Sequence, residues 1–164
     1  YLQSDGYQGY HRILDMPGIT GLGCWAHARR RFVKAQQAQP KGKSSGKLEQ
    51  VLSWIGKLYA LERDWLLLAD DERKVHRQNE SKPILDKIHD WALRQDVNPQ
   101  SLLGRAIGYL LGEWPRLIVY LEDGRLKMDN NLVENAIRPF ALGRKNWLCV
   151  SRRRFHDEDM MVTA

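Results

Sequence analysis

Asp129-Asn130-Asn131-Leu132-Val133-Glu134-Asn135-Ala136-Ile137-Arg138-Pro139, shortly followed by Gly143-Arg144-Lys145-Asn146-Trp147, is the stretch whose reading decides the fold. Its carboxylates, amides and cations are more polar chemistry than a core helix needs. Asp129 precedes a polar pair and then Val133, Ala136 and Ile137. That is the order of a helix N-cap whose following turns lay one apolar stripe on a core. Glu134 and Arg138 stand four apart on one face, with Asn131 a turn earlier. Pro139 then stops or kinks the helix. Taken alone, the stretch is equally a capped surface helix with one Glu–Arg pair worth ~0.2–0.5 kcal/mol. The other end of the chain tips the balance.

At 164 residues, 43% hydrophobic and 28% charged, the chain is a soluble globular domain, or one domain with an insertion. No apolar run approaches the ~20 residues of a membrane span. Tyr1-Leu2-Gln3-Ser4-Asp5 opens no signal peptide, and the lack of an initiator Met suggests a processed or truncated piece. Cys24 and Cys149 are too few for a disulfide framework, which points to a reducing cytoplasm. A net charge of +6 and a pI near 9.4 favour a polyanionic partner, nucleic acid first.

Leu2 to Tyr7 reads as the end of a short strand, with Asp5 at its tip and Gly6 opening a turn. Tyr7, Tyr10, Ile13 and Leu14 recur at helical spacing until Pro17-Gly18. Residues 19–25 form a plausible second strand weakened by glycines. Strand, helix and strand begin a parallel α/β unit. A helix over 26–37 carries Arg29, Arg30, Arg31 and Lys34, and residues 40–46 form a cationic loop. Leu48, Val51, Leu52, Ile55, Leu58, Tyr59 and Leu66 then mark a long amphipathic helix. Another starts near Asp70 with an interruption at Pro83. Asn98-Pro99 reads as an N-cap followed by proline at the first position of a third helix, kinked at Pro115. Residues 47–122 are thus expected to be all-helical, inserted into the α/β part. A brief extended stretch over 125–128 leads into the opening motif, and 147–150 is a candidate last strand.

Asp5 at a strand end and Glu134 at a helix start are the kind of carboxylates that magnesium takes, alongside waters and phosphate oxygens. The competing reading of Asp5-Gly6 is ordinary turn chemistry. Cys24-Trp25-Ala26-His27 is half of a zinc spacing without a second pair, so a core cysteine with a polar histidine at a helix start is favoured. Trp54, Trp65, Trp91 and Trp114 lie in apolar helical patterns and read as core. Trp147, beside Arg144 and Lys145, is the better candidate for a base contact. Arg29 to Arg31, Arg144 with Lys145, and Arg152 to Arg154 suit phosphate contacts, each weighed against a solvated face.

Asp5-Gly6-Tyr7, Gly23-Cys24-Trp25-Ala26-His27-Ala28-Arg29-Arg30-Arg31-Phe32, the Asp129–Pro139 run and Gly143-Arg144-Lys145-Asn146-Trp147-Leu148 together resemble the insertion-sequence-66 family of DDE-type transposases. The match runs in order over residues 1 to about 150, and Leu58-Tyr59 with Glu62 also fits. The resemblance implies a mixed α/β, predominantly helical chain: a partial ribonuclease H-like core with a large helical insertion. Its parts would be 1–46 and 123–150 for the core, 47–122 for the insertion and 151–164 for a divergent tail. Asp5 and Glu134 match the family's second and third catalytic acids, with magnesium or manganese as cofactor. Cys24 and His27 match a Cys-x-x-His motif, and Asn131 supports the third acid. Arg29, Arg30, Arg138, Arg144, Lys145 and Trp147 are the candidate DNA contacts. The implied partners are double-stranded transposon-end and target DNA and further copies of the chain, with no membrane, in a bacterial cytoplasm near the nucleoid. The implied activity is strand cleavage and strand transfer. The first acid belongs on a strand upstream of Asp5, so this chain alone is expected to be inactive; the alternative is a DNA-binding or assembly remnant.

Overall fold

A computed structural model describes residues 1–4, 9, 11–14, 16–40 and 46–131. The chain divides into two compact units, Tyr1–Asn130 and Asn131–Ala164, and of the second only Asn131 is among the described residues. The first unit begins with β1 (Leu2–Gln3), α1 (His11–Leu14) and β2 (Gly21–Leu22). β1 and β2 pair in parallel, Leu2 opposite Gly21 and Gln3 opposite Leu22, and Ser4 N–H extends the ladder to the Leu22 carbonyl at 3.0 Å. The expected parallel strand–helix–strand start is therefore present in miniature.

The strand expected over 19–25 is confined to two residues, for a backbone reason. Gly23 N–H donates to the Arg116 carbonyl (2.9 Å) and Trp25 N–H to the Met128 carbonyl (3.1 Å). Both groups thus leave the ladder, and α2 (Trp25–Gln37) starts one residue earlier than expected. Its stripe Trp25, Ala28, Phe32 and Ala35 is buried, at the spacing of one helix face.

The helical block follows as α3 (Gly46–Asp64), α4 (Asp70–His76), α5 (Lys82–Leu93), α6 (Leu102–Leu117) and a 3₁₀ turn (Val119–Leu121). Between α4 and α5, Arg77–Ser81 form a π-turn. Pro83 follows in the first turn of α5, where its missing N–H is tolerated. The expected interruption at Pro83 is accordingly a widened turn in a continuing helix. Ser101, rather than Asn98, caps α6. Its hydroxyl accepts Gly104 N–H at 3.0 Å, while Asn98 Oδ1 accepts Gln100 N–H at 2.8 Å in a local turn.

Buried residues from Leu22 to Met128 form one apolar cluster, so α2 and the helical block share a core. Trp25 meets Trp114 edge-on with centroids 6.0 Å apart, and Trp91 takes Phe32 (6.2 Å) and Trp54 (6.5 Å) in the same way. Such pairs add ~0.5–1.5 kcal/mol each beyond their buried area. Of the tryptophans of the helical block, Trp65 and Trp91 are buried and Trp54 and Trp114 are half-buried against the core, so all four pack as their spacing suggested. Among the described residues no helix is long and apolar enough to cross a membrane.

Candidate active site

The polypeptide leaves the helical block after α6 and runs into Asp129-Asn130 through a segment with almost no regular structure of its own. Its carbonyls are therefore in need of donors, and the fold supplies them one after another. Arg77, on the π-turn and fully buried, uses all five N–H groups. Nε and Nη2 grip Glu62 of α3 at 2.7 and 2.6 Å, and Nη1 donates to the carbonyls of Tyr120 (2.7 Å) and Asp123 (2.8 Å). Nη2 also reaches the Leu126 carbonyl at 3.0 Å. Arg73, one turn earlier, donates to the Gly124 carbonyl at 2.8 Å and to the carbonyls of Trp65, Leu66 and Leu68. Gln78 takes the Leu121 carbonyl at 2.9 Å, and Gln3 of β1 takes that of Lys127 at 3.0 Å.

Residues 125–128, expected to be extended, are thus held by side chains and by the start of α2 instead of a strand partner. Gly124 passes so close to the Asp70 carbonyl that no side chain fits there. Next to it, the Arg125 side chain, then its backbone N–H, hold the Asp123 carboxyl down at about 2.

Two side chains then fix the first residues of the motif. The Tyr59 hydroxyl, from α3, donates to Asp129 Oδ2 at 3.0 Å. The Cys24 thiol, at the N-cap of α2, donates to Asn130 Oδ1 at 2.8 Å. Burial, and then the Asp129 carboxylate, hold the Tyr59 phenol far above its ordinary range, while the Arg29 charge acts weakly against them. Burial also pushes the Cys24 thiol up. Both groups therefore remain protonated donors at neutral pH. The motif named first from the sequence and the Gly23-to-Phe32 motif, far apart in the chain, meet here.

Of the other residues singled out from the sequence, His27 is half-buried in the first turn of α2. Arg29 and Arg30 are exposed on α2. Arg31, also exposed, lies over the Tyr109 ring, 4.0 Å from its centroid, and links α2 to α6. Asn131 is half-buried. Asp5, Glu134, Arg138, Arg144, Lys145 and Trp147 lie outside the described residues, as does the candidate strand 147–150. Among the described residues no three His, Cys, Asp or Glu side chains gather as metal ligands do.

The sequence reading missed Arg73, Arg77, Asn130 and the partner of Tyr59. A signal for the arginines was present. Arg73, Arg77, Ser81 and Leu85 recur every fourth residue, all four buried, so the arginines continue a core stripe. Glu62 likewise stands four residues after buried Leu58 on α3.

Comparison with known proteins gives the family. Residues 1–157 match the model of the Transposase IS66 family. The chain belongs to that family. Three proteins of Sinorhizobium fredii (strain NBRC 101917 / NGR234) are similar to it. Uncharacterized protein y4hP is 32% identical over 170 residues, covering 95% of this chain and 31% of that protein. Uncharacterized protein y4jD is 32% identical over 157 residues (91% and 30%), and uncharacterized protein y4qI 31% over 156 (90% and 28%). The chain thus spans about a third of the length of the curated relatives it matches. No solved structure is a significant match.

Proposed function

We propose that this chain is the part of a DDE-type transposase that carries its second and third catalytic acids, Asp5 and Glu134, on a ribonuclease H-like core interrupted by the helical block. Family membership over residues 1–157 carries the reading. The parallel β1–β2 pair supports it: Ser4 N–H still bonds to the Leu22 carbonyl, so the ladder continues up to the residue before Asp5.

The donor set suits a divalent cation, because two hard carboxylates are the ligands that magnesium or manganese takes from protein. Asp5 and Glu134 would hold it, and when bound it supplies charge stabilisation at the scissile phosphate. The exposed Arg29 and Arg30, with Arg138, Arg144 and Lys145, hold backbone phosphates, and Trp147 lies against a base. In the first step water attacks phosphorus at a transposon end and the bond to the 3′ oxygen breaks, leaving a 3′ hydroxyl and a 5′ phosphate. In the second, that hydroxyl attacks a target phosphodiester. Its proton leaves with the displaced 3′ oxygen, and one phosphodiester replaces another. Double-stranded DNA is the substrate, and a symmetric assembly of copies on two DNA ends is the working form.

The test is a magnesium-dependent strand-cleavage assay on this chain and on a version extended upstream with a relative's preceding residues. Cleavage by the extended version that Asp5→Ala or Glu134→Ala abolishes, with DNA binding retained, is the expected result. Wild-type cleavage by Glu134→Ala overturns the assignment. DNA binding without cleavage by either version favours an assembly role.

A further inference from the structure

The positive excess of the chain is not spread evenly over its helices. α2 carries Arg29, Arg30, Arg31 and Lys34 and no acid, and α6 carries Arg105 and Arg116 against Glu113. α3 has as many acids as cations, and the run from α4 through α5 has one acid in excess. α2 and α6 pack antiparallel. The Trp25 indole N–H, at the start of α2, donates to the Leu117 carbonyl at the end of α6 (2.9 Å), while Arg31 lies over Tyr109 near the middle of both helices. Lys34 follows that contact by a turn on α2, and Arg105 precedes it by a turn on α6, so the three exposed cations line one side of the pair. Among the described residues none of the three is in an ion pair, whereas Arg116 is matched to Glu113 at 3.0 Å.

We propose that this face of the α2–α6 pair is a docking surface for the phosphate backbone of duplex nucleic acid, with Arg31, Lys34 and Arg105 as its contacts. It is separate from the root of the acid-bearing motif. At about 100° per residue, Arg31 stands about 200° round α2 from Arg29. Arg29 is on the flank whose charge reaches the Tyr59 hydroxyl. The surface therefore goes beyond the contacts proposed above, and it holds whether or not the chain cleaves DNA. The charges of a phosphate backbone are fixed in a row, and so are these cations: all three stand on packed helices, and Arg31 is held over an aromatic ring. The exposed α6 positions beside them are Gly108, Gly112 and Pro115. A Cβ at either glycine would meet nothing within 4 Å, so a sugar-phosphate chain can come close to the helix. An anionic membrane or an acidic protein calls instead for large apolar groups among the cations. On α2 and α6 only Leu102, 48% exposed at the start of α6, is of that kind.

Fluorescence anisotropy with a labelled duplex of mixed sequence, run on the full chain without magnesium across a salt series, tests the surface. Arg31→Ala, Lys34→Ala and Arg105→Ala should each lower the slope of log affinity against log salt by about 0.9, and together by about 2–3. Gly108→Glu and Gly112→Glu place a carboxylate on the same face without touching the core, and glutamate suits a helix better than glycine. Each should weaken binding about tenfold or more, because the new charge meets phosphate. Gly56→Glu, at an equally open glycine on α3, makes the same change in net charge elsewhere. As a screened, distant charge it should alter affinity by no more than about twofold.

Gly108→Glu and Gly112→Glu binding no more weakly than Gly56→Glu overturns the proposal, and so does a triple alanine variant with the wild-type salt slope. If the triple variant instead loses binding to phosphatidylserine vesicles while its duplex slope is unchanged, the face belongs to a lipid surface and the proposal is wrong. Tighter binding of single strands than of the duplex, with the same sensitivity to the variants, overturns the duplex assignment. No cleavage is read in this assay, so its failure leaves the catalytic reading standing. Failure of Asp5→Ala or Glu134→Ala to abolish cleavage leaves this surface standing in turn.

Discussion

Replacing Arg77 with methionine removes a buried cation of similar length and leaves its partners in place. Glu62, whose side chain is only 16% exposed, loses two charged hydrogen bonds of 2.6–2.7 Å. Breaking a buried pair from one side costs about 3–5 kcal/mol, because the remaining charge is stranded. The carbonyls of Tyr120, Asp123 and Leu126 lose their donor as well, at ~1–3 kcal/mol for each that water cannot reach. The Tyr120 hydrogen bond is fully buried and the other two are partly buried, so one such penalty belongs in full. The total is about 4–8 kcal/mol, comparable to the whole stability of many domains at ~5–15 kcal/mol. Urea unfolding followed by circular dichroism measures it. Arg77→Met should move the midpoint far down or leave the chain unfolded in buffer. The double variant Glu62→Leu/Arg77→Met should recover about 2–4 kcal/mol by removing the stranded carboxylate. A loss under ~1 kcal/mol for Arg77→Met would refute the reasoning, since it would mean that those five acceptors find water freely.

Three further expectations concern the same region and the basic face of α2. Cys24 and Tyr59 are held protonated in the fold, with ordinary values of 9.0 and 10.0. Their contribution is complete at neutral pH and is lost as pH rises past those values, so the urea midpoint should fall between about pH 8.5 and 11. Cys24→Ala should flatten the first part of that fall, and a level midpoint in the wild type would contradict it. Gly124→Ala drives a methyl group into the Asp70 carbonyl and should cost about 1–3 kcal/mol in the same measurement; an unchanged midpoint would show that the loop yields. Replacing Arg29 and Arg30 by alanine should weaken DNA binding. It should also reduce the slope of log affinity against log salt by about 0.9 for each phosphate that is no longer neutralised, as read by fluorescence anisotropy. An unchanged slope removes them from the interface.

Periodicity made the helical block legible, because Leu48, Val51, Ile55 and Leu58 or Leu85, Ile88 and Trp91 leave little choice of element. The parallel start was legible from turn residues and short apolar runs. Details settled by long-range backbone hydrogen bonds were not. β2 stops at Leu22 because Gly23 and Trp25 bond to residues about a hundred positions away. No local pattern carries that information. The start of α6 was misplaced because Asn98 and Ser101 are both good caps, and the local turn at Asn98 took that residue out of contention. The site was half legible. Its motifs stood out as clusters of chemistry, but the hydrogen bonds of Cys24 with Asn130 and Tyr59 with Asp129 join positions 106 and 70 residues apart.

The distance between the Asp5 and Glu134 carboxylates, in a crystal of the upstream-extended protein grown with manganese, bears most directly on the account. Carboxylates about 4–8 Å apart with anomalous density between them are the predicted result, given a two-ion spacing of ~3.5–4 Å. Carboxylates on opposite surfaces with no shared ion would contradict it.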